Sequence, residues 1–595
     1  ADELQVVVDG VSEPLLGNVK TQVEPFRFAG TGRLTARRLE KLRREAETKA
    51  ALALRPYGYY QPRIEARVEK QAENSWRLVV DIKKGPPVLI ADSRVEVEGP
   101  GAGIESLREW RRAWPLTPGK ILAQPPWAAE KRRGMEVAEA SGYLLAEYRK
   151  HEILLDLEKQ EARLDLVLET GPQAVMGEVQ FHQDTVYPYI LENLPRFRSG
   201  DPYDAWIMER FRIDLWQAGY FHNIEITEDR QLEEDPPRVD LDVYLEPRQP
   251  NMYQGSVGLG SDTGARVQFR WQRYLLSKRG DTFELSTGWQ DHNNEYFVSG
   301  NYRVPRETSS RQFWIAEALF KRENETPKLR GSFGDDTVYT LGSVDIGDNS
   351  LRVGRLRIQD RDRGYRQWFE TWFAQYLYET LDYGPLFNQS LFGDGASSAN
   401  AETLGRTSQN VSLGVEYEMP FTRGQGFETE GERIKGWAFA SNEVLGSDAD
   451  FIQTYVSARI TRRLGDHWRL LARGEIGYSN ARVNMVEVYP EGQPLLLSVT
   501  ELPNLYRFKA GGSTSVRGYG FETLSNNNIG SNNVVTASLE AEYQIFEKWS
   551  VAGFFDVGNA FNDWDRSELK KGVGVGVRWY TIAGALRVDI AQGLD

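Results

Sequence analysis

A long polar segment near the C-terminus of this 595-residue chain carries an arginine that can bind carboxylates. The segment reads Thr514-Ser515-Val516-Arg517-Gly518-Tyr519-Gly520-Phe521 and lies between two strands of alternating hydrophobicity. Glu540 lies on the first strand after the segment, and Asp556 lies on the second. A guanidinium forms forked, charge-assisted hydrogen bonds with acids of this kind. We therefore expect Arg517 to latch the segment onto the strands through Glu540 and Asp556.

Catalytic and metal-binding chemistry is disfavoured by the rest of the composition. The chain has no cysteine and only five histidines, at positions 151, 182, 222, 292 and 467. No two histidines are near in sequence, so neither a metal site nor a histidine-dependent active site is expected. We interpret the adjacent pair Asp291-His292 as coincidence within a loop. The sequence predicts no enzyme, no cofactor and no metal.

Hydrophobic residues alternate with polar ones from about Asn251 onwards. In the segment 534–545, for example, Val535, Leu539 and Tyr543 share one face and Glu540 lies on the other. No apolar run approaches the ~18 residues of a membrane helix, whereas strands of ~10 alternating residues are typical of transmembrane barrels. We count fifteen such strands. Because bacterial barrels have even numbers, we expect either a sixteenth strand beyond Asp595 or a count that is wrong by one.

Residues 1–250 show a different pattern, which repeats. Glycine followed by an aromatic residue ends a predicted helix at Gly58, Gly142 and Gly219. Each repeat reads as strand, helix, helix, strand, strand, over 1–90, 91–173 and 174–250. We interpret the glycines as helix C-caps. No signal peptide is visible at Ala1, so the chain is either mature and processed or was never exported, and we favour the first interpretation.

The loop tip Val516-Arg517-Gly518-Tyr519 resembles that of the outer-membrane insertase and translocase superfamily. Three POTRA-like repeats before a barrel resemble the TamA family, the outer-membrane subunits of the translocation and assembly module, as do the segments 54–62 and 302–305. The resemblance implies an α+β part of three POTRA-like βααββ modules in the periplasm, followed by an all-β 16-stranded antiparallel transmembrane barrel at 251–595. It also implies a latch of Arg517, Gly518 and Tyr519 on Glu540 and Asp556.

The resemblance further implies a non-enzymatic assembly factor in the bacterial outer membrane. Such a factor inserts or translocates outer-membrane proteins such as autotransporters, together with a TamB-like, inner-membrane-anchored periplasmic protein. A weak lateral seam between the first and last strands would open into the bilayer and template an incoming strand. The first strand carries the expected seam residues, Tyr253, Gly255, Gly258 and Gly260, and its glycines weaken pairing.

Charge is distributed unevenly along the chain. The net charge of −14 argues against a nucleic-acid partner. Residues 1–90 carry a net +4 and residues 174–250 a net −9. We expect the first repeat to dock the periplasmic partner, through arginines on its first helix, namely Arg37, Arg38, Arg43 and Arg44. A solvated helix face is the alternative for these four residues.

Other functions remain open from the sequence alone. A two-partner-type secretion pore or a passive channel would conduct ions once its loop is removed and would need no inner-membrane partner. A BamA-like general insertase would share the seam mechanism but serve other substrates. A barrel enzyme is disfavoured by the histidine count.

Overall fold

The computed structural model describes residues 3–30, 34–261, 263–307, 309–330, 338–340, 343–361, 366–382, 407–488, 495–565, 567–581 and 584–594. No helix among these residues is long and apolar enough to cross a membrane. The chain divides into two compact units. Unit 1 comprises Ala1–His182, Pro195–Asp214 and Ile224–Tyr244, and unit 2 comprises Gln183–Leu194, Leu215–Asn223 and Leu245–Asp595.

The first part of the chain repeats one order of elements three times, as the sequence predicts. The first repeat contains β1 (Glu3–Asp9), α1 (Leu15–Val23), α2 (Ala36–Leu54), β2 (Arg63–Ala72) and β3 (Ser75–Lys83). The second contains β4 (Leu89–Glu98), α3 (Glu105–Arg112), α4 (Gln124–Ala140), β5 (Glu147–Asp156) and β6 (Glu161–Glu169). The third contains β7 (Val175–His182), α5 (Pro188–Glu192), α6 (Ala205–Ala218), β8 (Phe221–Gln231) and β9 (Arg238–Pro247). The domain boundaries and the assignment of all three repeats as POTRA domains stay predictions.

Each repeat builds one small sheet in which the opening strand pairs in parallel with the last strand. The orders are β1-β3-β2, β4-β6-β5 and β7-β9-β8. The central strands are the most apolar because they are covered by the helices, and Leu78 and Leu166 are fully buried. Gly58, Gly142 and Gly219 follow the second helix of each repeat with φ of 87°, 90° and 77°, which confirms the predicted left-handed C-caps.

In the second part of the chain, the described residues form one antiparallel sheet of fifteen strands in chain order, which is the number counted from the sequence. These strands are β10 (Asn251–Gly260), β11 (Gly264–Tyr274), β12 (Thr282–Gln290), β13 (Glu295–Arg306), β14 (Ser309–Glu325), β17 (Val344–Arg361), β18 (Arg366–Asp382), β19 (Thr407–Arg423), β20 (Glu430–Ser441), β21 (Phe451–Leu464), β22 (Trp468–Ser479), β25 (Asn533–Phe546), β26 (Trp549–Phe561), β27 (Lys570–Thr581) and β28 (Gly584–Gly593). Two hairpins that the sequence analysis missed, β15 (Lys328–Arg330) with β16 (Val338–Thr340) and β23 (Val483–Val488) with β24 (Leu495–Thr500), lie in its loops. The predicted sixteenth strand would follow Asp595 and therefore lies outside the described residues.

The two faces of this sheet differ as the alternation predicts. On β25, Leu539 is 63% exposed, whereas its neighbours Glu540 and Glu542 are 7% and 0% exposed. Side chains of successive strand residues point to opposite faces, so one face is apolar and exposed and the other is polar and covered. We call the apolar face the outer face and the polar face the inner face.

The two ends of the sheet also differ. Short turns such as 275–281, 424–429 and 465–467 join strands at the turn end, where β10 begins. Residues 442–450 and a long loop, 501–532, lie at the opposite, loop end. Within unit 2, the Tyr220 hydroxyl donates to the carbonyl of Gly280 at 3.0 Å, and the Tyr187 backbone N donates to the carbonyl of Lys278 at 2.8 Å. The unit 2 part of the third repeat therefore docks on the turn end.

Candidate functional site

The long loop folds back over the inner face, and its tip contacts the last four strands, β25 to β28. Glycine makes this close approach possible. A Cβ on Gly572 of β27 would lie 1.9 Å from the carbonyl oxygen of Arg517, and one on Gly518 would lie 2.6 Å from the backbone N of Gly593. Gly518 itself has a φ of 94°, a conformation that favours glycine. The glycine-rich inner row of β27 is therefore the surface on which the tip rests.

Arg517 makes the predicted contacts with both acids. Its Nε and Nη2 donate to the two carboxylate oxygens of Asp556 at 2.7 and 3.0 Å, and its Nη1 donates to Glu540 Oε2 at 2.6 Å. The backbone N of Arg517 also donates to Asp556 Oδ2 at 3.0 Å. The guanidinium carbon lies 3.3 Å from the centre of the Phe554 ring. The loop tip is thus held by a forked ion pair, a main-chain bond and an aromatic contact.

Burial decides how much these contacts matter. The Arg517, Glu540 and Asp556 side chains are 7%, 8% and 0% exposed. Ion pairs at an exposed surface contribute ~0–1 kcal/mol, whereas removing one partner of a buried pair costs about 3–5 kcal/mol because a charge is left without compensation. The ion pairs of Arg517 are buried, so the loss of one partner falls in the costly class.

Three further charged residues complete the cluster, and the sequence analysis missed them. Arg578 donates to Glu540 Oε1 at 2.9 Å and also pairs with Asp589, while Arg473 donates to the carbonyl of Ser515 at 2.7 Å. The cluster then contains three arginines and three carboxylates, so its charges balance. The alternation offers a signal for Arg578, because it is the first inner residue of β27 after three glycines. Nothing comparable marks Arg473.

Tyr519 belongs to the predicted latch but contacts a different part of the wall. Its hydroxyl donates to the carbonyl of Lys571 at 3.2 Å, and a Cβ on Gly593 would lie 3.0 Å from its ring. Tyr519 therefore packs beside the ion pairs, on β27 and β28. The structure brings Arg517, Glu540 and Asp556 together directly, and Gly518 and Tyr519 shape the loop around them.

The base of the long loop is anchored on the other side of the inner face. Asn504 Nδ2 donates to Glu323 Oε1 at 2.8 Å, and its backbone N donates to Glu379. Lys509 pairs with Glu325, and Gln453 Nε2 donates to the carbonyl of Tyr506 at 2.8 Å. These partners lie on β14, β18 and β21, whereas the tip lies on β25, β26 and β27. The loop thus crosses the inner face.

A second buried cluster lies at the turn end, beside the latch. Arg469 of β22 donates to Glu542 Oε2 at 2.5 Å, and its Nη1 donates to the carbonyl of Phe427 in the turn 424–429 at 3.2 Å. Phe427 is 4% exposed and packs edge-on against Tyr580, with ring centres 6.2 Å apart. This turn joins β19 to β20 yet reaches a residue of β27. It therefore folds across the turn end of the inner face.

The predicted seam residues lie on β10, which pairs with β11 through its whole length. Tyr253 is 67% exposed on the outer face. A Cβ on Gly255 would meet nothing within 4 Å, so this glycine is not required by close packing. Within the described chain, β10 and β28 are the two edge strands of the sheet. Their role as a lateral seam stays a prediction.

The arginines predicted to bind a partner lie on α2, not on the first helix of the repeat, because α1 precedes them as a separate nine-residue helix. Arg37 and Arg38 are exposed. Arg43 donates to Glu40 and to Glu47, and Arg44 donates to Glu40. The hydrogen bonds from Arg43 and then Arg44 lower the pKa of Glu40 to about 2. Arg43 and Arg44 therefore form ion pairs with carboxylates of their own helix.

The described part of the chain contains no cluster of metal-ligating side chains. No group of three or more His, Cys, Asp or Glu residues there could hold a metal ion. His292, from the pair Asp291-His292, packs edge-on against Phe521 of the long loop, with ring centres 5.0 Å apart. Its observed contact is thus with the loop.

Together these features define a class of protein. Its members have α/β repeats followed by a large β-sheet, and this sheet has an apolar outer face and an inner face that holds a loop by buried ion pairs. Residues 359–595 match the Omp85 superfamily domain, and residues 5–84 match the POTRA domain described as TamA domain 1. The protein is therefore an outer-membrane β-barrel protein with periplasmic α/β repeats, as the sequence predicts. The matched domains are those of assembly and transport proteins, which confirms the prediction that it is not an enzyme.

Two relatives support this conclusion. The "Outer membrane protein assembly factor BamA" of Nitratidesulfovibrio vulgaris is 24% identical over 430 residues, which are 70% of this chain and 48% of that protein. The chain thus spans about half the length of this curated relative. The crystal structure of BamA from Haemophilus ducreyi lacking POTRA domains 1–3 covers 85% of this chain and 96% of its own, with a TM-score of 0.58 and 13% identity. The latter likeness shows a common fold.

Proposed function

We propose that this protein inserts or translocates outer-membrane proteins, autotransporters among them, as TamA-family proteins do. The match of residues 5–84 to TamA domain 1 supports this family over a BamA-like general insertase. The observation that carries the proposal is the latched loop, because a loop held by buried ion pairs across the inner face keeps a barrel closed to solutes while leaving its wall free to act.

In this proposal the edge strands of the sheet bind the substrate. An edge strand presents unpaired backbone N–H and C=O groups that an incoming strand can pair with. Gly255 and Gly258 of β10 weaken its pairing with β11, since glycine contributes no side chain to cross-strand packing. A substrate strand would therefore pair with β10 and leave sideways into the bilayer. A TamB-like protein anchored in the inner membrane would deliver or receive material through the first repeat.

Site-specific photocrosslinking tests the proposed seam. A photoreactive phenylalanine analogue replaces Tyr253 on β10 or Tyr543 on β25. Both tyrosines are exposed on the outer face near the turn end, at 67% and 38%, so they differ chiefly in whether their strand is at the edge. During synthesis of an autotransporter in cells, we expect crosslinks to its barrel strands from position 253 and background levels from position 543.

Equal crosslinking from the two positions would contradict the edge-pairing mechanism. A passive channel gives no substrate crosslink from position 253 and no loss of autotransporter assembly when the gene is deleted. A general insertase gives crosslinks to many unrelated barrel proteins in proportion to their synthesis. The same experiment therefore separates the proposal from both alternatives.

A further inference from the structure

The outer face carries an arginine between two tryptophans. Trp314 of β14, Arg355 of β17 and Trp372 of β18 are direct cross-strand neighbours. Both tryptophans are more than half exposed, at 53% and 56%. Because neighbouring strands lie about 4.8 Å apart, the three side chains form one short row along the barrel wall.

The row continues into a small group of arginines. Gln312 Oε1 accepts hydrogen bonds from Arg306 Nη1 and Arg355 Nη2, both at 2.6 Å. Arg306 lies over the Trp314 ring, 5.4 Å from its centre, and Arg357 is exposed one outer position from Arg355. Arg306 is the last residue of β13. The group therefore lies towards the turn end, which faces the periplasm.

Two observations indicate that a ligand completes this group. The Nε of Arg355 is buried and has no hydrogen-bond partner in the described part of the chain. The nearby carboxylate of Glu370 already accepts from Trp372 Nε1 at 2.7 Å and from Gln359 Nε2 at 2.8 Å. Glu370 is the direct cross-strand neighbour of Arg357, so one carboxylate stands beside three arginines and the excess charge is positive. Because a buried donor without a partner is costly, a small outward turn of the Arg355 side chain onto an anion is favoured here.

An apolar groove begins beside the same tryptophans. It has a volume of about 900 Å³, and Trp314 and Trp372 line it together with Arg355. The remainder of its lining is apolar and mostly small or branched, and it includes Val353, Ala374, Leu413 and Ala438. A groove with an apolar floor and a basic, aromatic end matches a molecule that has a hydrocarbon chain and an anionic head.

We propose that this groove binds one phospholipid molecule of the periplasmic leaflet. Its phosphate is held by Arg355, with Arg306 and Arg357 beside it, and one acyl chain lies in the groove between Trp314 and Trp372. Arginine suits this role because its planar donors match phosphate oxygens and it stacks on aromatic rings. Arginine and tryptophan are also tolerated at the membrane interface, where a charge on the lipid face costs little.

Native mass spectrometry of the full chain in detergent tests the site with phosphatidylglycerol as the probe. We expect one phospholipid to be retained, and Arg355→Ala/Arg357→Ala to weaken its binding at least about tenfold. Arg322→Ala is the matched control, because Arg322 lies at the other end of β14 and also covers an outer aromatic ring, that of Phe320, at 4.4 Å. Ala374→Trp fills the groove while keeping every arginine, and we expect it to reduce binding as well.

Two further probes identify which part of the ligand is recognised. Diacylglycerol, which lacks the phosphate, should bind weakly to the wild-type protein and equally to the arginine variant. Inorganic phosphate should fail to displace phosphatidylglycerol at equal concentration. Unchanged phospholipid binding by the arginine variant would overturn the proposal, and so would displacement by phosphate alone. Equal effects of Arg322→Ala and Arg355→Ala/Arg357→Ala would show only general attraction of lipid to arginine.

Discussion

Arg517 carries the loop tip into a cluster in which three arginines and three carboxylates balance. Because the cluster is buried, each charge depends on its neighbours for compensation. Asp556 depends most strongly on Arg517, from which it accepts three hydrogen bonds, and it is 0% exposed. The arrangement stabilises one position of the loop. Other positions are disfavoured because moving Arg517 away would leave a buried carboxylate without a compensating charge.

Arg517→Ala should therefore release the loop tip without unfolding the barrel. The local cost is about 3–5 kcal/mol, the range for removing one partner of a buried pair. We expect faster proteolysis within the loop, reduced autotransporter assembly, and unchanged heat-modifiable mobility of the barrel. Arg423→Ala is the control, because Arg423 pairs with Glu430 but its side chain is 70% exposed. A fully active variant with a protease-resistant loop would contradict the latch.

Gly572→Ala tests the same docking without changing any charge. The new Cβ would lie 1.9 Å from the carbonyl oxygen of Arg517, so the loop tip must move away from β27. We expect increased loop proteolysis, similar to that of Arg517→Ala. The control is Gly553→Ala on the neighbouring β26, where a Cβ meets nothing within 4 Å. If both variants showed the same loop proteolysis, docking of the loop tip would not depend on its close approach to β27.

The residue contacts show what a sequence can and cannot reveal. Glu540 and Asp556 were predictable because alternation fixes the face of each strand residue. Arg578 was also within reach, as the charged residue that ends a row of glycines. Phe427 was not, because it lies in a turn that crosses the inner face to Tyr580 of β27, and the sequence does not reveal the path of that turn. Contacts set by strand period were predictable, and contacts set by a turn folding inward were not.

Among the elements, the strands were predictable and the loop hairpins were not. Most strands of the large sheet show a period of two over about ten residues, a signal that a single sequence carries. The hairpins β15–β16 and β23–β24 have strands of only three and six residues, which is shorter than the ~10-residue runs that indicate a barrel strand. The first helix of the first repeat was overlooked in placing the arginines of α2, because α1 is short and weakly charged.

The turn 424–429 gives a prediction at this scale. Phe427 fills the turn end of the inner face between Arg469 and Tyr580, so Phe427→Ala should widen the periplasmic opening of the barrel. We expect higher and noisier ion conductance in planar bilayers, with the Arg517 latch and its protease resistance intact. Val444→Ala is the control, because Val444 is 92% exposed in a segment at the loop end. Equal conductance of the two variants would show that the turn does not restrict the opening.

On the scale of the whole molecule, the first repeat is a candidate docking module. It has its own core, in which Leu54, Leu78 and Val80 are fully buried. Val88, in contrast, belongs to the core of the second repeat, so a clean deletion ends before it. The charge of residues 1–90 is net +4 against −9 for residues 174–250, which favours an acidic partner surface at the first repeat.

Deleting residues 1–86 should abolish co-purification of the TamB-like partner while the barrel folds normally. Within the repeat, Arg37→Glu/Arg38→Glu should weaken binding more than Arg43→Glu/Arg44→Glu, relative to the folding of each variant, because Arg37 and Arg38 are exposed whereas Arg43 and Arg44 are paired with Glu40. Complementary charge chiefly raises the association rate and is screened by salt, so the wild-type association should slow as ionic strength rises. Surface plasmon resonance at two salt concentrations measures both effects. Undiminished partner binding by the deleted protein would place the docking surface in the second or third repeat, and a salt-independent rate would exclude the arginines of α2 from it.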